Sequence, residues 1–333
     1  MTVAFFGELM LRLSPPGREL LFQTPKLEVN VGGAEANVAV GLSCLGHPVR
    51  MISAVADNPL GSAVIAELRR RGVDTTHIAA EAGRLGLYFL TPGAGLRASE
   101  VVYDRAHSVF ADRAEAAWDW TTALAGCTRL HLSGITPALG PNTAAAAIAA
   151  AEAASAQGIP VSFDGNYRAK LWEAWDSDPR AVLTQLIGHA DILFGNHRDI
   201  SLLLGHDFSG EGSDRRREAA EAAFEAFPKL QKIASTARHV VDADSHRIAA
   251  RIDTREGAHQ TDEVLVAGIV DRIGAGDAFA AGVLHGLLQG GDTRAAAKSG
   301  LALTCLKHSL PGDASLFTRA DLAAFGEGLD VRR

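Results

Sequence analysis

The chain has 333 residues, of which 47% are hydrophobic and 21% charged, and its net charge is −7 at pH 7. This is ordinary globular composition, and the length allows one large α/β core. The negative balance argues against nonspecific binding to nucleic acid or anionic lipid. Three isolated cysteines indicate neither a disulfide framework nor a zinc site. Because no secretory signal or membrane-spanning run is evident, we predict a cytoplasmic protein without nucleic-acid or membrane partners.

The first residues predict strands followed by a helix. Thr2–Phe6 is typical of a buried strand, and residues 11–14 and 26–31 predict short strands around a proline–glycine turn. Gly32 and Gly33 then precede a helix that carries Asn37. Paired glycines let a ligand approach the backbone closely, and an Asn side chain offers both a donor and an acceptor. A tight turn followed by a polar helix residue explains the same pattern without a ligand.

Residues 84–111 interrupt the alternation of helices and strands. Segments 87–91 and 99–104 predict a hairpin, in which Tyr103 and Arg105 lie on one face. Such a pair is also typical of exposed cross-strand partners without a ligand. Because the hairpin and the early strands lie far apart in the chain, we predict that they form one small sheet. This sheet, from about residues 9–31 and 84–111, would cover a main domain as a lid.

From residue 118 onward the pattern becomes a regular α/β alternation. Strands predicted at 159–163 and 190–194 end in polar loops, which is where open α/β sheets place ligands. The first loop contains Asp164-Gly165-Asn166-Tyr167-Arg168, and the second contains Asn196 and Asp199. A helix cap explains Asn196 about as well as a ligand does.

Gly274-Ala275-Gly276-Asp277 is the most informative stretch of the chain. It lies between a strand predicted to be buried at 263–270 and a helix predicted at 278–288. A helix start binds anions through its unpaired N–H groups, and a carboxylate there can accept the proton of an incoming hydroxyl. Phe279 replaces the small residue of the dinucleotide fingerprint, and no Gly-Lys-Ser/Thr triplet of a Walker loop occurs. The alternative for Asp277 is that it merely caps or neutralises the N-terminus of the helix.

The stretch from Asp271 to Asp277 resembles the C-terminal signature of the ribokinase-like (PfkB) carbohydrate kinases, and Gly32-Gly33 with Asn37 resembles their N-terminal sugar-binding signature. The resemblance implies an α/β fold with a mostly parallel central sheet, flanking helices and a small β-sheet lid, in a single kinase domain at 1–325. It also implies ATP and Mg²⁺ as cofactors. Asp277 would be the catalytic base, and the backbone of Gly274, Ala275, Gly276 and Asp277 would hold the transferred phosphoryl group.

Further motifs resemble one branch of this family, the 2-keto-3-deoxygluconate kinases. These are residues 86–89 with Tyr88, residues 103–108 with Tyr103 and Arg105, and the Asp-x-Asn-x-Arg run that ends at Arg168. The resemblance implies phosphorylation of the terminal hydroxyl of a keto-deoxy sugar acid. The two arginines would flank its carboxylate, which suits a planar guanidinium. A fructokinase- or ribokinase-like enzyme for a neutral sugar, and a non-catalytic sugar- or nucleotide-binding regulator, remain alternatives.

On the nucleotide side, Asn196 and Asp199 stand where the family carries Asn-x-x-Glu, which is linked through water to the magnesium–phosphate complex. Lys307 lies in the region that borders the adenine. The chain departs from the family near Ile233, where a Lys-x-Gly-x-x-Gly turn is usual and residues 233–239 contain no glycine. Mg²⁺ would arrive with ATP, so we expect no protein cage for it. An exposed lid face also predicts a homo-oligomer formed through the lid.

Overall fold

The computed structural model describes residues 1–326. The strands are β1 (Thr2–Phe6), β2 (Met10–Ser14), β3 (Glu28–Gly32), β4 (Val49–Ala56), β5 (Asp74–Glu81), β6 (Gly86–Thr91), β7 (Glu100–Asp104), β8 (Cys127–Ser133), β9 (Val161–Asp164), β10 (Ile192–Phe194), β11 (Lys232–Asp242), β12 (Ser245–Thr254), β13 (Ala258–Gln260) and β14 (Val264–Ala267). The helices are α1 (Ala34–Cys44), α2 (Pro59–Arg70), α3 (Val109–Asp112), α4 (Trp120–Ala123), α5 (Pro141–Ala156), α6 (Ala169–Trp172), α7 (Pro179–Gly188), α8 (His197–Leu204), α9 (Gly212–Ala226), α10 (Ala275–Leu288), α11 (Thr293–Lys307) and α12 (Arg319–Ala323). Within these residues, no helix combines the length and apolar character needed to cross a membrane, and the cytoplasmic location stays a prediction.

The main sheet has ten strands within the described part of the chain, in the order β13-β12-β11-β10-β9-β8-β1-β4-β5, and β14 pairs with β12. The strands from β11 to β5 are parallel, whereas β12, β13 and β14 join antiparallel. Central strands such as β1 and β10 are almost entirely buried and apolar, as expected for parallel strands covered on both faces. The predicted mostly parallel α/β sheet is confirmed.

Helices pack on the sheet through small residues. Helix α1 packs on β1, β4 and β8 and against α10, and α10 packs against α11. A Cβ added at Gly282 would lie 2.4 Å from the carbonyl oxygen of Ser299, and one added at Gly286 would lie 2.6 Å from the Cα of Ala296. These glycines therefore let α10 and α11 approach backbone to backbone, which holds the N-terminus of α10 in place.

A separate sheet has the order β3-β2-β6-β7. It unites the two distant segments as predicted, so the small lid sheet is confirmed. Because cross-strand partners point to the same side, its register separates two rows. One row, called here the inner row, consists of Asn30, Arg12, Tyr88 and Tyr103. The opposite row, called here the outer row, consists of Val29, Leu13, Phe89 and Val102.

The strand predicted to be buried at 263–270 is wrong in extent and environment. The structure has only β14 (Val264–Ala267), which alternates half-buried and exposed residues, and Leu265 is 53% exposed. The cause is its position, because β14 lies off the main path of the sheet and pairs antiparallel with β12. A loop at 268–273 then leads to α10, and Val270 in that loop is half-exposed.

Residues 233–239, where the family's glycine turn is missing, continue strand β11. This strand pairs antiparallel with β12 as far as Asp242 and forms a long hairpin. Its tip contacts the lid. The N–H of Ala243 donates to the carbonyl of Gly95 (2.9 Å), and the carboxylate of Asp244 accepts from the N–H of Gly95 (3.1 Å) and pairs with Arg18 (2.7 Å). The hairpin thus bridges the main sheet and the lid.

Candidate active site

A cavity of about 950 Å³ lies between the inner row of the lid and the carboxyl ends of the parallel strands. It brings together most of the residues that the sequence analysis selected. These are Gly33, Asn37, Tyr88, Tyr103, Arg105, Arg168, Asn196, Asp199, Gly274, Ala275, Gly276 and Asp277. Residues from both ends of the chain thus meet at one site.

Asp277 lies in the first turn of α10. The amide of Asn37 donates to its Oδ2 at 2.7 Å, and no side chain caps this helix, so Asp277 does not act as a helix cap, whereas neutralisation of the helix N-terminus stays an alternative. Burial raises the pKa of Asp277 to about 7, with smaller contributions from Asp313 and Glu35, while the Asn37 hydrogen bond opposes the rise. A carboxyl group with this pKa can accept a proton near neutral pH, which is what a general base requires.

The turn before Asp277 leaves backbone donors open to the cavity. Gly274 has φ 75°, and a Cβ there would lie 1.6 Å from the carbonyl oxygen of Asp313, so only glycine fits. A Cβ at Gly276 would meet nothing within 4 Å. The N–H of Ala275 donates to the carbonyl of Arg272 (3.3 Å) in this structure, and its role as a phosphoryl donor stays a prediction. Within residues 1–326, the N–H groups of Gly276 and Asp277 have no hydrogen-bond partner and can bind an anion.

Two more carboxyl groups lie near Asp277. Asp164 ends β9, and burial together with the charges of Asp277 and Asp199 raises its pKa to about 8. Burial also raises the pKa of Asp199. The sequence analysis did not select Asp164, although its position at the carboxyl end of a strand was a signal for it.

Asn196 and Asp199 begin α8 as a reciprocal capping box. Asn196 accepts a hydrogen bond from the N–H of Arg198 (2.9 Å), and Asp199 accepts one from the N–H of Asn196 (2.7 Å). The capping alternative for Asn196 therefore holds, and both residues also line the cavity.

A buried ion network, which sequence reasoning missed, joins the lid to the main domain. Arg12 of β2 donates to Asp313 (2.8 Å) and to Asp271 (2.6 Å), and its side chain is only 4% exposed. The hydroxyl of Tyr88 donates to the other oxygen of Asp313. Burial alone would lower the pKa of Arg12, but the two carboxylates raise it above its ordinary value. Arg12 therefore stays charged and bridges both sides of the cavity.

The two arginines predicted to flank a carboxylate occupy different environments. Arg105, directly after β7, is buried and paired with Glu8, to which its Nε donates at 2.9 Å, while its Nη1 has no partner. Arg168 is exposed, and its Nη1 donates to the backbone of Tyr167 (3.0 Å). Both line the cavity, but only Arg168 has its charge largely free.

Two expected contact residues lie outside the cavity. Lys307 is fully buried, its Nζ donates to the carbonyl of Leu310 (3.1 Å), and it is not among the residues that line the cavity. These contacts give Lys307 a structural role, and its predicted contact with the nucleotide stays a prediction. Gly32 is also outside the lining, and a Cβ there would lie 2.4 Å from the carboxylate of Asp313. It makes room for Asp313 and does not line the sugar-side surface.

A second cavity of about 660 Å³ adjoins the first. Both are lined by Asn196, Thr236, Arg238, Ala275 and Gly276, so the second opens at the N-terminus of α10. Farther along, the second cavity is lined by Arg216, Thr304 and His308. The site therefore offers two adjoining spaces on either side of one anion-binding turn, as a reaction between two substrates requires.

Comparison with known proteins agrees with this arrangement. The family model described as "pfkB family carbohydrate kinase" matches residues 2–318 of this chain. A 2-dehydro-3-deoxygalactonokinase of Haloferax volcanii is 33% identical over 98% of this chain and 96% of its own, and a 2-dehydro-3-deoxygluconokinase of Bacillus subtilis is 29% identical over 96% and 94%. The crystal structure of a 2-dehydro-3-deoxygluconokinase of Thermotoga maritima is 36% identical and superposes with a TM-score of 0.92 over 98% of this chain and 100% of its own. The chain belongs to the pfkB family of carbohydrate kinases.

Proposed function

We propose that the protein transfers the terminal phosphoryl group of ATP to the terminal hydroxyl of 2-keto-3-deoxygluconate. The observation that carries this proposal is Asp277, with a pKa raised to about 7, placed beside the free N–H groups at the start of α10. A base and an anion site next to each other suit the transfer of a phosphoryl group to an alcohol. The related kinases named for keto-deoxy sugar acids support the substrate class.

The chain's own groups perform the proton transfer and the charge stabilisation. Asp277 accepts the proton of the sugar hydroxyl, while the amide of Asn37 orients its carboxylate at 2.7 Å. As the phosphoryl group moves, negative charge on its oxygens is stabilised by the N–H groups of Gly276 and Asp277. These donors are already aligned by the helix, so little reorganisation is needed during the reaction.

The carboxylates near the turn fit a divalent cation that arrives with the nucleotide. Asp164 and Asp199 supply oxygen donors, and burial together with the charges of Asp277 and Asp199 raises the pKa of Asp164 to about 8. Among the described residues, no group of three or more acidic, His or Cys side chains could hold a metal on its own. Asp164 and Asp199 would therefore hold Mg²⁺ together with phosphates and water, and Mg²⁺ would neutralise phosphate charge.

The sugar acid fits the lid side of the cavity. Tyr88 and Tyr103 pair across β6 and β7, and their rings lie 5.9 Å apart. The exposed guanidinium of Arg168 is a donor available to a carboxylate there, and Arg105 also lines this side, with an Nη1 that is buried and has no partner among the described residues. A kinase for neutral sugars would have no need for these two arginines. We propose that residues 1–325 act as one kinase unit in which the lid covers this sugar side.

Replacing Arg168 by Leu is expected to raise the Michaelis constant for the sugar acid by about tenfold or more. Charge-assisted hydrogen bonds to a carboxylate contribute roughly 1.5–3 kcal/mol, and about 1.4 kcal/mol corresponds to a factor of ten. A coupled ADP-release assay over both 2-keto-3-deoxy epimers and neutral hexoses measures the effect. Lys170→Leu is a matched control, because Lys170 is an exposed cation of the neighbouring α6 that does not line the cavity.

The same assay decides between the proposal and its alternatives. A wild-type preference for fructose or ribose, or equal weakening of acid and neutral substrates by Arg168→Leu, would favour the neutral-sugar kinase. Preference for the galactonate epimer would keep the mechanism and change the substrate's stereochemistry. Absence of ADP release with every sugar, together with retained sugar binding, would favour a non-catalytic regulator.

We also propose that two copies of the chain pair through the outer row of the lid. This row runs across all four strands of the lid sheet. Its two end residues are apolar but exposed, Val29 by 59% and Val102 by 50%. A continuous apolar row on a sheet face is stabilised by burial against a second copy.

Val29→Glu and Val102→Glu are expected to convert the wild-type dimer to monomer, because each places a charge in the paired surface. Sedimentation velocity at micromolar concentration measures this. Leu60→Glu, at an exposed leucine of α2, is the matched control. A monomeric wild-type protein, or an equal effect of Leu60→Glu, would contradict pairing through the lid.

A further inference from the structure

Strand β11 occupies the place of the glycine turn that the family uses. A glycine turn offers backbone N–H groups to a phosphate. Here the residues from Lys232 to Val240 pair directly with β12, and the strand contains no glycine. On the opposite edge β10 pairs only with Lys232 to Ala234, so from Ser235 onward this edge of β11 faces the cavities without a strand partner among the described residues. An extended edge lacks the clustered N–H groups of a glycine turn, so side chains beside it would supply the further donors that a polyphosphate needs.

Two arginines fill that position. Arg238 on β11 and Arg272 in the loop before α10 both line the large cavity, next to the free N–H groups of Gly276 and Asp277. Within residues 1–326, neither guanidinium makes a hydrogen bond or an ion pair. Partial desolvation and the nearby charge of Arg272 lower the pKa of Arg238, although the residue is exposed at the cavity. The two positively charged side chains thus face the same cavity without a carboxylate partner in the described part of the chain.

Some arginines of the same region are neutralised by the protein itself. Arg251 on β12 forms two hydrogen bonds with Asp253, at 2.7 and 2.8 Å, and Arg217 on α9 pairs with Glu221. Carboxylates are thus present in the region, but within residues 1–326 none of them pairs with Arg238 or Arg272, which lie close together at the cavity. Two close cations without a counterion are unfavourable by themselves, and an anionic ligand would relieve their repulsion.

We propose that Arg238 and Arg272 together bind the polyphosphate chain of the nucleotide, in place of the family's glycine turn. The planar guanidinium suits this role because it donates two parallel hydrogen bonds to phosphate oxygens. The inference deepens the proposed function, because it rests on ATP as the phosphoryl donor, but it does not depend on which sugar accepts the phosphoryl group.

Arg238→Leu is expected to raise the dissociation constant of ATP by about tenfold or more, the usual effect of losing a charge-assisted hydrogen bond. Isothermal titration of the full chain without sugar measures ATP, ADP and adenosine separately. Adenosine, which carries no phosphate, is expected to bind equally well to the wild type and the variant. A structural defect would weaken all three ligands, so the ratio of ATP to adenosine affinity is the readout.

Arg247→Leu is the matched control. Arg247 is an exposed arginine on β12, cross-strand from His239 of the same hairpin, and it lines neither cavity. It is expected to leave the affinity for ATP unchanged. Arg272→Leu is expected to weaken ATP binding as Arg238→Leu does. The ATP affinity of Arg238→Lys is expected to lie between those of Arg238→Leu and the wild type, because lysine keeps the charge but lacks the planar guanidinium with its two parallel donors.

Two results would overturn the inference. One is an ATP affinity of Arg238→Leu equal to that of Arg247→Leu, and the other is equal loss of ATP and adenosine binding. Failure of the proposed function is distinguishable from both. A wild type that phosphorylates no sugar acid but binds ATP through Arg238 would refute the substrate and support the phosphate site. Kinase activity on the sugar acid, together with ATP binding that does not depend on Arg238, would support the proposed function and refute the phosphate site.

Discussion

Asp277→Asn is expected to lower turnover by about 10²–10⁴, the range for loss of a general base. The side chain keeps its size, and its remaining carbonyl oxygen can still accept the hydrogen bond from Asn37, which is 2.7 Å from the carboxylate of Asp277. Folding and sugar binding should therefore be preserved. Steady-state kinetics with the sugar acid measure turnover, and thermal unfolding monitors the fold.

The pH dependence of the wild type gives a second readout of the same group. Burial raises the pKa of Asp277 to about 7, so the carboxyl is protonated below this pH and ionised above it. Only the ionised form accepts a proton. The rate should therefore fall about tenfold per pH unit below pH 7 and level off above it. The Asn variant should lack this limb, since its side chain does not titrate.

Asp214→Asn is the matched control for a helix-terminus effect. Asp214 also lies in the first turn of a helix, α9, but is exposed and far from the cavity lining. It is expected to leave turnover and the pH profile unchanged. Near-normal turnover in Asp277→Asn would assign Asp277 to the helix dipole and not to catalysis.

Arg12→Met is expected to lower the free energy of unfolding by about 3–5 kcal/mol, the usual cost of removing one partner of a buried ion pair. Arg12 stands between Asp271 and Asp313, and the side chains of Arg12 and Asp313 are 4% and 3% exposed. Without the guanidinium, two carboxylates remain close together in a poorly solvated place. Urea unfolding of the full chain measures the change.

The effect should depend on pH. Burial already raises the pKa of Asp313 in the folded protein, although Arg12 opposes the rise. A carboxyl with a raised folded pKa is tolerated while it is protonated, and its stability contribution is lost as pH rises through that pKa. The destabilisation by Arg12→Met should therefore be larger at neutral than at acidic pH. Arg12→Met/Asp313→Asn should recover part of the loss, since one unpaired charge is gone.

Arg84→Met is the matched control within the lid region. Arg84 pairs with Asp104 at 2.7 Å, but their side chains are 40% and 50% exposed. Solvent screens this pair, so its removal is expected to change stability little. Equal effects of Arg12→Met and Arg84→Met would contradict the idea that the buried network joins the lid to the main domain.

Local chemistry in the sequence predicted most of the elements, with the strand at 263–270 as an exception, and it predicted the centre of the proposed site. The glycine turn before Asp277 predicted an anion site at a helix start, because positive φ and free N–H groups are properties of a few neighbouring residues. The hairpin at 84–111 and the early strands predicted the lid, because alternation along a strand is also a local property. The family resemblance rested on the same short motifs.

The tertiary structure decided which charged side chains pair with each other. Arg105 is paired with Glu8 across the fold, and Arg12 joins Asp271 and Asp313, although the chain separates these residues widely. The partial exposure of β14 and the burial of Lys307 likewise depended on which elements lie against them, and this is not a property of the segment itself. Charge pairing and desolvation act over a few ångströms in space, so they follow from packing and not from neighbours in the chain. The sequence by itself therefore determined the fold class and predicted where the proposed reacting centre lies, whereas only the tertiary structure decided which charged groups remain free for a ligand.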